Sequence, residues 1–146
     1  MIAENLAILR QKIEETCTRS GRNPDEVKLI AVSKYFGVDA IVEAKNCGLT
    51  DFGENRAQEL ILKYEKLGND VTWHMIGTLQ KNKVKYAVNA AELIHSVDSL
   101  ELVEEIKLLE LKKSLIFTAC PINRFSNIIL FKASRRLILS FQYSIQ

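Results

Sequence analysis

Beyond Glu110 the chain carries no acidic residue, and beyond Gly77 it carries no glycine. All 18 Asp and Glu lie between Glu4 and Glu110, against fourteen Lys and Arg there, a local net charge of −4. The remaining stretch, 111–146, holds six basic residues: Lys112, Lys113, Arg124, Lys132, Arg135 and Arg136. A basic tail is the charge pattern of a nucleic-acid or membrane-surface arm. This one is also rich in Ile, Leu and Phe, which a solvated arm is not, so nucleic-acid binding ranks last among the functions to expect. Proline is scarce as well (two residues), and six glycines are too few for a low-complexity or disordered chain. No apolar run approaches the roughly 18 residues that span a bilayer. The first ten residues include Glu4 and mix polar with apolar side chains, unlike a secretory leader. A soluble, cytoplasmic protein with no membrane partner is the expectation.

Cysteine is equally uninformative. Cys17, Cys47 and Cys120 contain no C-x-x-C pair, which argues against a disulfide framework or a zinc knuckle. His74 and His95 stand 21 positions apart without flanking ligands, so no metal site is expected. There is no GxxxxGK[ST] loop, no GxGxxG turn and no GxSxG elbow. What remains is a chain of 146 residues, 47% hydrophobic and 26% charged, enough for one domain with one core.

The hydrophobic pattern organises that domain. Ile2, Leu6, Leu9 and Ile13 recur at helical spacing and predict an amphipathic helix over 2–19, closed by Gly21 and Asn23-Pro24. Residues 27–33 are a nearly continuous apolar run of strand length, as in a parallel strand buried on both faces. A short helix over 38–47 follows, then a short strand near Thr50 to Phe52. A longer helix places Ala57, Leu60, Ile61, Tyr64 and Leu67 on one face, with Gly68 as its stop. Further strands are expected over Val71–Ile76 and Leu93–Val97, with a short basic helix over Lys81–Val88 between them. Asp98 and Glu101 resemble a capping box for a helix to about Leu111. Leu115–Ala119 and Ile128–Phe131 could add two more strands. Strand and helix thus alternate four times, the pattern of parallel βαβ units in a doubly wound sheet or part of a (β/α)8 barrel.

In either architecture, ligands gather at the C-terminal edge of the strands. Lys34 follows the first strand at that edge. Flanked by Val32 and Tyr35, it is either a partly desolvated amine able to attack an aldehyde or a strand-end lysine in solvent. Gly53 and Asn55 close the second strand; Asn55 can bind a ligand or cap the next helix. Gly77 sits at the same edge after the third strand, and Ser96 could reach a ligand from the fourth. His74, inside its strand, reads as a core histidine. Lys81, Lys83 and Lys85 read as a solvated helix face, with a phosphate-seeking patch as the alternative.

Four stretches, KLIAVSK (28–34), LTDFGENRAQEL (49–60), WHMIGTLQKNKVK (73–85) and IHSVDSLEL (94–102), resemble the pyridoxal phosphate homeostasis protein family in order and spacing. The resemblance covers residues 1 to about 107. It implies the barrel domain seen in alanine racemase, with pyridoxal 5'-phosphate held on Lys34 as a Schiff base and Asn55 near the cofactor. It implies a carrier or buffer of the cofactor with no assigned turnover and no catalytic residue; an amino-acid racemase-like enzyme is the alternative, and a non-binding product is another. Only the small-molecule cofactor is implied as partner. The sequence leaves the oligomeric state open, with a monomer as the expectation.

The resemblance ends near residue 108. A full (β/α)8 barrel takes about 250 residues, and family members carry a Ser- and Gly-rich phosphate cup and an arginine in their later units. Residues 111–146 offer no counterpart. The expected division is therefore a partial barrel domain over 1–110 and a divergent tail over 111–146, from a changed reading frame or an alternative ending. The tail could cover an open sheet edge.

Overall fold

The computed structural model describes residues 1–110 and 116–119 of the chain. Helix α1 (Ile2–Ser20) comes first, followed by β1 (Ala31–Val32), α2 (Val38–Asn46), β2 (Asp51–Glu54) and α3 (Ala57–Leu67). Then come β3 (Thr72–Met75), α4 (Val84–Ala90), β4 (Leu93–Val97), α5 (Leu100–Glu110) and β5 (Ile116–Ala119). Single 3₁₀ turns at Pro24–Glu26, Gly68–Asp70 and Lys81–Lys83 join some of these elements.

The strands form one sheet in the order β1-β2-β3-β4-β5, every neighbouring pair parallel. A doubly wound sheet would reverse its strand order at a switch point. Sequential order is instead that of successive βα units in an arc of a barrel. The strand expected from Leu115 is present as β5, paired with β4 through Leu93 and Ile116, Ile94 and Phe117, and Val97 and Ala119. The strand expected over Ile128–Phe131 lies outside the described residues.

Local chemistry explains the element ends. Gly21 ends α1 in the left-handed conformation (φ 66°), where it and Arg22 donate to the carbonyls of Thr18 and Cys17. β1 is shorter than its apolar run; among the described residues it pairs with β2, through Ala31 with Phe52 and Val32 with Gly53. At α5 the cap differs from expectation. The hydroxyl of Ser99, not Asp98, accepts the backbone N–H of Leu102, so the helix starts one residue later than the Asp98-Glu101 pair suggests.

Alternation along the strands separates two faces. Ala31, Phe52, Trp73, Met75 and Ile94 face the helices and pack with Ile41, Leu60, Val84, Ala87, Leu102 and Ile106. Phe52 and Trp73 are paired in register, with ring centroids 6.4 Å apart and tilted by 51°. The other face carries Val32, Gly53, His74 and Leu93, which are register partners across four strands.

Candidate functional site

Lys34 lies where β1 ends, half-buried, at the second position of a tight turn. The turn is closed by the N–H of Phe36 donating to the carbonyl of Ser33 at 3.1 Å. Its third position is Tyr35, with φ 71°, the left-handed backbone that a type II turn requires there and that glycine ordinarily supplies. An aromatic residue in this region is a strained exception, and such strain persists only where the surroundings hold it. The Tyr35 side chain is exposed, with the Lys34 ammonium 5.9 Å from its ring centre.

Ser33 supplies the holding contacts. Its N–H donates to the Gly53 carbonyl at 3.0 Å, continuing the β1–β2 ladder. Its hydroxyl donates to Glu54 Oε1 at 2.7 Å, and its carbonyl accepts from Lys63 Nζ at 2.8 Å. Lys63, reaching in from α3, also ion-pairs with the fully buried Glu54. No sequence signal singled out Ser33, Glu54 and Lys63 as a unit. Only the β1–β2 register and the approach of α3 bring them together.

Asn55 stands one strand away, just past β2. Its side-chain oxygen is buried without a hydrogen-bond partner among the described residues. A buried acceptor left unpaired is costly and calls for an explanation. The exit of β3 passes directly over it: a Cβ on Gly77 would lie 2.3 Å from the Asn55 carbonyl oxygen. Gly77 is therefore required by the close approach of two backbones. Beside Asn55 opens a groove of about 600 Å³, also lined by Arg56, Thr78, Gln80 and Lys83. Lys34 is not among the groove's lining residues, so the structure puts Lys34 and Asn55 at one edge of the sheet but not in one cavity. Another groove, of about 440 Å³, lies at the opposite edge beside Lys28, Trp73 and Glu92.

The inner face of the sheet carries a polar chain. Asp51 Oδ1 accepts from Lys28 Nζ at 2.9 Å and meets His74 Nε2 at 2.8 Å, while Thr50 donates to Oδ2. His74 Nδ1 lies 3.1 Å from His95 Nε2. Burial alone would raise the pKa of Asp51, but the hydrogen bonds from His74, Lys28 and Thr50 and the Lys28 charge outweigh it. They hold the carboxyl well below the usual carboxylate range. His95 is pushed down to about 4, by burial first and by the neighbouring His74 second.

His74 is thus the buried core histidine expected of its position, though with a histidine partner that the 21-residue separation concealed. Register pairs His74 with Leu93, which brings His95 alongside. Ser96 is occupied structurally, its hydroxyl donating to the Ile76 carbonyl at 3.0 Å. Lys81 and Lys85 are exposed, as a solvated face requires, and both Lys83 and Lys85 lie over the Tyr86 ring. Among the described residues no cluster of three or more His, Cys, Asp or Glu could hold a metal ion.

The chain is 42% identical over 114 residues to the pyridoxal phosphate homeostasis protein of Aquifex aeolicus, aligning 77% of itself with 50% of that protein. The protein of the same name from Escherichia coli K12 is 40% identical over 109 residues, 72% of this chain and 47% of the relative. Among solved structures, PipY of Synechococcus elongatus with PLP bound is 43% identical with a TM-score of 0.67, over 80% of this chain and 52% of that one. The same protein solved without PLP gives a TM-score of 0.68. No family model matches the sequence. The chain spans about half the length of the curated relatives it matches.

Proposed function

We propose, from the chain's homology to the pyridoxal phosphate homeostasis proteins over about half their length, that it binds pyridoxal 5'-phosphate through Lys34 and serves cofactor homeostasis without turnover. The sheet is then the first arc of a (β/α)8 barrel, continued past a boundary near residue 110, in a cytoplasmic protein. The observation that carries this reading is the placement of Lys34: half-buried, at the C-terminal edge of a parallel sheet, in a turn strained at Tyr35 and held through Ser33. An amine fixed at that edge can add to an aldehyde and release water, forming a Schiff base.

The residues present fit one side of the cofactor. The unpartnered oxygen of Asn55 offers an acceptor at the same sheet edge as Lys34, and Gly77 lets the exit of β3 pass close to the Asn55 backbone. When bound, the cofactor supplies an electrophilic carbonyl carbon and an electron-withdrawing ring. Lys34 would hold the first and Asn55 would orient the group. No described residue is assigned to the phosphate.

The test is direct. The full chain, incubated with pyridoxal phosphate, should develop the visible absorbance of a Schiff base. Borohydride reduction followed by peptide mass spectrometry should place the label on Lys34, and Lys34→Ala should remove it. Labelling spread evenly over the exposed lysines, or absent from Lys34, would sink the reading.

A further inference from the structure

The buried pair Glu54–Lys63 has no place in cofactor contact as described above, and it is expensive. Glu54 is 0% exposed and the Lys63 side chain 12% exposed. Two charges withdrawn from water cost several kcal/mol each before their attraction is counted, and an apolar pair of equal volume would pack the β2–α3 interface at least as well. A structural account based on stability alone is therefore weak.

What the pair does is geometric. The Lys63 ammonium bonds both the Glu54 carboxylate and the carbonyl of Ser33, and the same carboxylate oxygen accepts the Ser33 hydroxyl. That carbonyl belongs to the peptide plane from which Lys34 departs. With the Ser33 N–H tied to Gly53, the residue before the lysine is fixed at its amide, its hydroxyl and its carbonyl. The next residue but one, Tyr35, holds a positive φ that an unrestrained chain would leave.

We propose that Glu54 and Lys63 are positioning residues for Lys34: by locking the Ser33 carbonyl and hydroxyl they fix the peptide plane that aims the lysine amine at its aldehyde. This rests on the assignment of Lys34 as the cofactor lysine. Neither residue contacts the cofactor; both act through Ser33. The remaining carboxylate oxygen of Glu54, buried without a partner among the described residues, is consistent with a group held for its reach to Ser33 and Lys63 rather than for full pairing.

The experiment compares the full-length chain with Lys63→Met, Lys63→Arg and Ser33→Ala. Ser33→Ala removes only the hydroxyl link and keeps both charges, so it answers even where Lys63→Met fails to fold. The readouts are the pyridoxal phosphate isotherm and the induced visible circular dichroism, which reports how rigidly the Schiff base is held in a chiral site. Folding is checked by far-ultraviolet circular dichroism. We expect Lys63→Met to weaken Schiff-base formation about tenfold, a loss of about 1.4 kcal/mol, with loss of the induced signal. Ser33→Ala should lower both in part, and Lys63→Arg should restore most of both. Folded variants with the wild-type isotherm and induced signal would overturn the positioning role while leaving Lys34 as the cofactor lysine. If the unmodified chain takes up no cofactor, that assignment fails by itself. The acetylation rate of Lys34 by acetic anhydride then decides: a rate unchanged by Lys63→Met and Ser33→Ala overturns positioning, and a changed rate upholds it.

Discussion

His95 and Asp51 give the inner face a pH response whose sign follows from their partners. His95 has a folded-state pKa of about 4, below the ordinary 6.5. Between those values the unfolded chain binds the proton and the folded chain does not, so stability rises with pH through that window. Acidification from pH 6.5 to 4 should therefore destabilise the protein, by about 1 to 2 kcal/mol after allowing for partial solvent screening. Urea midpoints measured across that range check it, and His95→Gln should flatten the slope. Asp51, held low by His74 and Lys28, contributes stability that is present above the usual carboxylate pKa and is lost as pH falls below it. Asp51→Asn at pH 7 should cost about 2 to 3 kcal/mol, under the usual range for a broken buried pair because Lys28 is 37% exposed. A slope confined below pH 4 and unchanged by His95→Gln would contradict the assignment.

At the scale of elements, the turns carry the predictions and also mark the limit of what the sequence discloses. Gly77→Ala would drive a methyl into the Asn55 backbone, which cannot yield as a side-chain tip would. The expected loss is about 2 kcal/mol, with a disturbed Asn55 resonance by nuclear magnetic resonance. Tyr35→Gly should go the other way, raising stability by about 0.5 kcal/mol, because the relief of a left-handed aromatic residue exceeds the entropy cost of glycine. A lowered urea midpoint in that variant would mean the tyrosine ring does more than occupy the turn. Helices were legible because burial of one face imposes a period of 3.6, as Leu60 and Tyr64 do in α3, and strands because they are short apolar runs between breaks, as Leu93–Val97 is. The placement of Lys34, Asn55 and Gly77 just past strand ends was legible because local breaks mark those ends. The Ser33–Glu54–Lys63 clamp and the Asp51–His74–His95 chain were not, since each joins residues through register and helix packing, which no local pattern encodes. The left-handed Tyr35 was hidden for the opposite reason: its side chain argues against the conformation that its surroundings impose.

For the molecule as a whole, the composition break near Glu110 does not coincide with the edge of the sheet. β5, drawn from beyond that break, lies parallel to β4 and pairs with it at Leu93, Ile94 and Val97, across an irregularity between Ile94 and Val97. Cutting the chain after Glu110 would turn β4, whose Leu93, Ile94 and Val97 are all buried, into an edge strand. A central parallel strand is built from apolar residues that are safe only while both neighbours are present, and unpaired edges of this kind seed association. The 1–110 fragment should therefore scatter light at concentrations where the full chain stays clear, and its urea midpoint should fall. The Lys34 turn is at the far end of the sheet and depends on β2 and α3, not on β5. Any soluble fraction of the fragment should accordingly still label at Lys34 with pyridoxal phosphate and borohydride. A clear, fully stable fragment would show that β4 does not need its partner; a soluble, folded fragment that no longer labels would show that the edge bearing Lys34 is organised by the whole arc rather than by its first two units.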